Sequence, residues 1–125
     1  MTLTTHVIDT AAGVPAAGIA IVLYAVDGAT GTPLASATGT PLGSATRTRL
    51  GGATTNAGGR TDAPLAESLG PGWYELTFAV APYFAAQNVA AFYDEITIRF
   101  RLEGGAHYHV PLLLGPWGYS TYRGS

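Results

Sequence analysis

The sequence predicts an all-β fold, a β-sandwich of about seven to eight strands with one short helix. Turn-forming residues are frequent in this chain of 125 residues, which has 17 glycines and 8 prolines. Between them, apolar residues occur in short runs, and several runs alternate apolar with polar residues, as strands with one buried face do. A chain of this length has room for a single hydrophobic core, so one domain is expected.

Strand patterns occur in seven segments of the chain. The clearest is residues 96–102, in which apolar and polar side chains alternate. The other segments combine β-branched or aromatic residues with flanking turn formers; they are residues 3–9, 19–25, 46–55, 73–79, 107–114 and 119–123. The single predicted helix is residues 81–91, because Pro82 suits a first helical position and no glycine or second proline follows in the segment.

A tandem duplication interrupts this pattern. An eight-residue unit occurs at residues 31–38 and again, with one substitution, at residues 39–46. Each copy contains one Pro-Leu pair, and the unit is too short for a solenoid repeat. We therefore predict one domain over residues 1–125 with a duplicated, flexible hairpin insertion at residues 31–46. The alternative is that the two Pro-Leu pairs contact a partner.

Charge and composition exclude several classes of function. Eight carboxylates and six scattered arginines give a net charge of −2, with no clustered basic surface for nucleic acid. No apolar run approaches the roughly 18 residues of a membrane span, and residues 1–8 lack a signal-peptide pattern, so a cytoplasmic location is expected. The absence of cysteine excludes disulfides and thiolate metal sites.

The low charge content also predicts self-association. Charged residues make up only 11% of the chain, which is little for the surface of a small monomer. We therefore expect another copy of the chain to cover part of the surface.

Strand alternation places two histidines on outward faces. In residues 107–114, Tyr108, Val110, Leu112 and Leu114 form the better core face, so His109 faces outward beside Pro111 and Leu113. In residues 3–9, His6 faces outward beside Ile8 if Val7 packs inside. Imidazoles with apolar neighbours on an outward face suggest a surface that a partner subunit covers.

These histidines are candidates for proton transfer, for which imidazole is well suited near neutral pH. Arg60, in the glycine turn of residues 56–60, can hold an anion or stabilise a developing oxyanion. The structural alternatives are packing or surface histidines and a solvated arginine.

A zinc site is the alternative to proton transfer. His107 and His109, two residues apart, could bind zinc with His6 as a third ligand. No cysteine and no obvious carboxylate ligand accompanies them, so we predict no metal and no other cofactor. The glycine pairs lack the lysine and the spacing of a phosphate loop. Ser120 and Ser125 lack the context of a hydrolase nucleophile.

The same segments resemble the transthyretin-related 5-hydroxyisourate hydrolases. The resemblance is carried by residues 3–10, 55–60, 107–114 and 119–125, and it extends over the chain apart from the duplicated hairpin. The closing Tyr-Arg-Gly-Ser separates these hydrolases from the hormone carrier transthyretin. Two departures are Gly58, where the family usually has aspartate, and Gly115, where it usually has serine. Gly58 raises the question of whether the turn carrying Arg60 is less rigid.

The resemblance implies a transthyretin-like sandwich that assembles as a homotetramer, a dimer of dimers with active sites between the dimers. It implies catalysis by His6, Arg60 and His109 and substrate binding by His6, Arg60 and Tyr122, with Ser125 near the rim. Which histidine acts as the base stays open. Four neighbouring residues are assigned to packing: His107, Tyr108, Trp117 and Tyr119.

The implied substrate is a small purine-derived molecule, 5-hydroxyisourate. Hydrolysis of its cyclic amide gives 2-oxo-4-hydroxy-4-carboxy-5-ureidoimidazoline in urate degradation. The alternative function is a carrier that holds a small aromatic ligand in the same channel without turning it over.

Overall fold

The computed structural model describes residues 1–27, 46–105 and 107–124. In this part of the chain it contains ten short strands and one helix. The strands are β1 (Thr2–Thr4), β2 (Val7–Asp9), β3 (Val14–Pro15), β4 (Ala20–Asp27), β5 (Thr46–Thr54), β6 (Gly72–Ala79), β7 (Ile96–Leu102), β8 (His107–His109), β9 (Leu112–Leu114) and β10 (Tyr119–Thr121), and the helix is α1 (Ala81–Ala85). The predicted insertion at residues 31–46 lies outside the described residues except for Thr46, which begins β5.

The first sheet is built from the beginning and the end of the described chain. β1 pairs in parallel with β8, and β2 pairs in parallel with β9. β10 flanks β9 on one side and β3 flanks β2 on the other. The ladder continues across the breaks, since the amide of Val110 donates to the carbonyl of Thr4 and the amide of Leu112 to that of His6.

The predicted continuous strands over residues 3–9 and 107–114 are therefore each divided into two short strands. Pro111 explains the second break, because proline has no N–H to continue a ladder. Between the first two predicted strands, residues 10–18 contain a further two-residue strand, β3, which pairs with β2. These divisions account for ten strands where about seven to eight are predicted.

The second sheet is antiparallel, with the strand order β5-β4-β6-β7. The hydrophobic core lies between the two sheets. Leu3 and Val7 of the first sheet and Leu76 and Phe78 of the second are fully buried in it. The all-β class is confirmed.

The helix is shorter than predicted. Residues 81–91 were expected to be helical, but α1 ends at Ala85. Asn88 has a φ of 57°, and a residue in the left-handed conformation ends a helix. No helix among the described residues is long and apolar enough to cross a membrane.

Candidate active site

The outward face of the first sheet carries both candidate histidines. Along β1 and β2, Leu3, Thr5, Val7 and Asp9 are buried, whereas His6 and Ile8 are partly exposed. Along β8 and β9, Tyr108, Val110, Leu112 and Leu114 are buried and His109 is partly exposed. The predicted alternation is therefore confirmed.

His109 is fixed from two sides. Its Nδ1 lies 2.8 Å from the hydroxyl oxygen of Thr4, which is directly opposite in the parallel pairing of β1 and β8. Its backbone carbonyl accepts a hydrogen bond of 2.7 Å from the amide of Gly124. A Cβ atom at Gly124 would lie 2.6 Å from Cδ2 of His109, which is closer than real Cβ atoms approach. Glycine at position 124 thus lets the chain pass directly over the imidazole.

His6 is held by the turn that carries Arg60. Its Nε2 lies 2.9 Å from the carbonyl oxygen of Gly58. A carbonyl only accepts, so Nε2 of His6 carries a proton and donates it, and Nδ1 is left for other partners. The first sheet and the turn are therefore joined at the site.

The turn itself is rigidly bonded. The side-chain oxygen of Asn56 accepts from the amides of Gly58 and Arg60, at 2.9 and 3.3 Å. The amide of Val7 donates to the carbonyl of Gly59 at 2.8 Å, and a Cβ at Gly59 would collide with the carbonyl oxygen of Val7. Gly59 also has a φ of 72°, which favours glycine. These bonds hold the backbone of Arg60 despite glycine at position 58.

The pKa of His109 is affected by the other two predicted catalytic residues, Arg60 and His6. The pKa of His109 is lowered from its ordinary value of 6.5, first by burial and then by the positive charges of Arg60, His107 and His6. Burial disfavours the charged imidazolium, and neighbouring cations repel it. His109 is therefore held neutral at neutral pH, as a proton acceptor must be.

Tyr122 lies on the protein surface, in a segment that follows β10. Its side chain is 57% exposed, and it lines a surface cavity with Phe100 of β7 and with Arg123. The guanidinium of Arg123 lies 4.4 Å from the ring centroid of Tyr108, a cation–π contact that holds this segment against the first sheet. His6, Arg60 and His109 are linked by their charges, whereas Tyr122 joins the group only through the family resemblance.

The partners of His109 were not predicted from the sequence. Thr4 and Gly124 contact it directly, and His107 was assigned to packing although it is exposed. The ring of His107 is stacked on that of His109, with centroids 6.5 Å apart. The alternation that turns His6 outward also turns Thr4 outward, which is the signal that could have revealed it.

The other packing assignments have mixed outcomes. Tyr108 is buried, as predicted. Tyr119 is partly exposed, with its ring centroid 5.3 Å from that of Tyr93. Trp117 is 68% exposed, so its assignment to packing is wrong for the single chain. Within residues 1–27, 46–105 and 107–124, no group of three histidine or carboxylate side chains is arranged to hold a metal ion.

The family follows from comparison with known proteins. Residues 3–124 match the model of the HIUase/Transthyretin family. The chain belongs to this family. Within it, the chain is 50% identical to the 5-hydroxyisourate hydrolase of Deinococcus radiodurans, over 98% of this chain and 95% of the relative.

Solved structures agree with this family and with the transthyretin-like fold. The 5-hydroxyisourate hydrolase of Klebsiella pneumoniae is 32% identical, with a TM-score of 0.76 and full coverage of both chains. An (S)-allantoin synthase is 35% identical with a TM-score of 0.79, but 99% of this chain spans only 43% of that longer chain. Transthyretin from Sparus aurata shares the fold, with a TM-score of 0.78 at 23% identity over 98% of this chain and 96% of that chain.

Proposed function

We propose that this protein is a 5-hydroxyisourate hydrolase, which opens the cyclic amide of 5-hydroxyisourate with water to give 2-oxo-4-hydroxy-4-carboxy-5-ureidoimidazoline. The observation that carries the proposal is the placement of two imidazoles on one face, with Nδ1 of His109 2.8 Å from the Thr4 hydroxyl and Nε2 of His6 2.9 Å from the carbonyl oxygen of Gly58, in the turn that carries Arg60. The name shared by the relatives from D. radiodurans and K. pneumoniae supports it.

His109 is proposed as the general base. Because its pKa is lowered, it is neutral at the pH of the cell and can take a proton from the attacking water. The water oxygen then bonds to the carbonyl carbon of the cyclic amide, and the C–N bond breaks.

His6 is proposed to protonate the leaving nitrogen. The carbonyl of Gly58 holds its Nε2, so a proton for the substrate would leave from Nδ1. Arg60 is proposed to bind the anionic substrate and to stabilise the oxyanion that develops at the attacked carbonyl. Tyr122 is proposed to orient the substrate ring. The chemistry of these residues requires no metal or organic cofactor.

The proposed assembly is a homotetramer, a dimer of dimers whose active sites lie between dimers. In support, Ile8 and Leu113 pair on the outward face of the first sheet, the face that also carries His6 and His109, and both are partly exposed. Large apolar groups on an exposed face favour a covering partner. A cytoplasmic location stays a prediction, which cell fractionation tests.

The activity is tested by following the ultraviolet absorbance of freshly made 5-hydroxyisourate. Wild-type protein is expected to accelerate its decay, and Arg60→Ala is expected to abolish most of the acceleration. Arg49→Ala is the matched control, because Arg49 is an exposed arginine of β5 on the second sheet. If 5-hydroxyisourate decays at its spontaneous rate in the presence of wild-type protein, and urate binds saturably, the protein is a carrier.

The assembly is tested by sedimentation equilibrium. The wild-type particle is expected to have four times the chain mass of 12.8 kDa. Leu113→Arg places a charge on the outward face of the first sheet, and it is expected to reduce both the mass and the activity. Leu50→Arg is the control, since Leu50 is an exposed leucine of the second sheet. A monomeric, fully active wild-type protein would contradict a site between subunits.

A further inference from the structure

The hydroxyl of Thr4 lies between two imidazoles. It is 2.8 Å from Nδ1 of His109 and 3.3 Å from Nε2 of His107. The parallel register of β1 with β8 sets this position, because Thr4 is opposite His109. The two rings are nearly parallel, with planes 14° apart. Three polar groups from the two strands thus form one short hydrogen-bonded chain.

A hydroxyl has one proton, so Thr4 can donate to only one of the two rings. If it donates to His107, it accepts from Nδ1–H of His109, and the free lone pair of His109 is on Nε2. If it donates to Nδ1 of His109, the proton of neutral His109 must be on Nε2. The choice of donor therefore determines which nitrogen of His109 is available as a base.

We propose that Thr4 is a positioning residue that couples His107 to His109, so that protonation of His107 changes the tautomer of His109. Neutral His107 can accept the proton of Thr4, which favours His109 with a free Nε2. Protonated His107 can only donate, which releases the Thr4 proton for Nδ1 of His109. In that state His109 carries its own proton on Nε2 and can no longer take one from water there.

The proposal rests on His109 being the general base of the proposed function, but the coupling can be measured without substrate. The groups whose charges act on His109 are Arg60 in the turn, His107 on β8 and His6 between β1 and β2. Their charges shift the pKa of His109 through space, whether or not Thr4 has a hydroxyl. Only the tautomer requires the hydroxyl, so the tautomer is the property to measure.

The experiment uses nitrogen NMR of the intact protein labelled with 15N at histidine. The chain has only three histidines, so the ring signals can be assigned with His6→Ala and His107→Ala. In wild-type protein, the 15N shifts of neutral His109 are expected to move from the Nδ1–H towards the Nε2–H pattern as His107 becomes protonated. Thr4→Val, which removes the hydroxyl but suits a strand, is expected to abolish this movement. Thr4→Ser is expected to restore it.

Kinetics provide the second arm. Thr4→Val is expected to lower kcat for 5-hydroxyisourate roughly three- to tenfold with little change in KM, as for the loss of one hydrogen bond that orients a catalytic group. Thr4→Ser is expected to retain the wild-type kcat. Thr10→Val is the matched control, because the Thr10 hydroxyl bonds at 3.1 Å to a backbone carbonyl, that of Leu114, on the neighbouring strand.

The coupling through Thr4 and the proposed function can each be disproved independently of the other. If the His109 tautomer follows His107 equally in Thr4→Val and in wild-type protein, the coupling is wrong, whatever the activity. If the coupling is seen in wild-type protein but 5-hydroxyisourate decays at its spontaneous rate, the proposed function is wrong and the coupling stands. A kcat that falls equally in Thr4→Val and Thr4→Ser would assign Thr4 a packing role and overturn the proposal.

Discussion

The outward faces of the two sheets differ in how their charged side chains are arranged. On the second sheet, Glu75 is buried between two arginines, with contacts of 3.2 Å to Arg47 and 2.6 Å to Arg99. On the first sheet, the pKa of His109 is lowered, first by burial and then by repulsion from Arg60 and from the imidazoles of His107 and His6. One face pairs opposite charges, which contributes to stability. The other places basic side chains around an imidazole. Their repulsion opposes protonation of the ring and keeps it able to accept a proton.

The comparison predicts that the first face controls turnover and the second controls stability. The largest effect is expected for His109→Ala. Loss of one proton-transfer group typically costs on the order of 10²–10⁴ in kcat. The free energy of unfolding should change little, because His109 is only partly buried. Steady-state kinetics and thermal unfolding monitored by circular dichroism measure the two quantities. Wild-type turnover by this variant would remove His109 from the mechanism.

Glu75→Ala is the reciprocal change on the second face. It leaves Arg47 and Arg99 without their shared carboxylate, and a lost partner in a buried ion pair is strongly destabilising. Arg47 is 45% exposed and retains much of its hydration, so the expected loss is reduced to about 1–3 kcal/mol. Urea unfolding measures it, with kcat of the folded protein expected to be unchanged. A tenfold lower kcat at unchanged stability would show that the faces are not separate in function.

Gly124→Ala tests how closely the chain passes the imidazole. The added Cβ would need the space of Cδ2 of His109, which is 2.6 Å away, so the ring must move. A misplaced catalytic ring is expected to cost roughly tenfold in kcat or more. Gly118→Ala is the control, because a Cβ at Gly118 would meet nothing within 4 Å. Equal activity of the two variants would mean that the position of His109 tolerates displacement.

The smallest effect is expected in the pH dependence. Because the pKa of His109 is lowered, its neutral form persists below the ordinary value of 6.5. In Thr4→Val, in which protonation of His107 cannot change the His109 tautomer, kcat/KM for 5-hydroxyisourate should therefore hold to below that pH and fall as pH falls through the lowered pKa. His107→Ala removes one of the repelling charges, so its acid limb should lie at higher pH than that of Thr4→Val. Glu75→Gln, on the other sheet, should leave the wild-type profile unchanged, and an acid limb above pH 6.5 in Thr4→Val would contradict the assignment of His109 as the base.

The fold was largely predictable from the sequence because strand alternation is a local signal. The pattern of buried Leu112 and Leu114 is visible in the residues themselves, and it places His109 on the opposite face. Arg60 has no such pattern, and its place in the site came from the glycine turn together with the family resemblance. Tyr122 rested on resemblance alone.

The register of the parallel strands β1 and β8 could not be predicted from the sequence. Thr4 meets His109 across 105 residues of chain, through a parallel pairing that no local pattern encodes. A shift of one residue would turn the Thr4 hydroxyl into the core. The close approach of Gly124 to His109 also depends on a pairing, the isolated bridge between those two residues. The helix end at Ala85 was missed for a different reason, because Asn88 adopts a left-handed conformation that the sequence permits but does not require.

The parallel pairing of β1 with β8 joins a strand that is synthesised early to one that is synthesised late. Thr4 and His6 leave the ribosome first, but they must wait for His109 and Gly124 before the site can close. A nascent chain that has already folded its second sheet therefore has no active site. Under the proposed function, activity is therefore expected only after residues 107–124 have emerged, the first sheet is complete and the subunits have assembled.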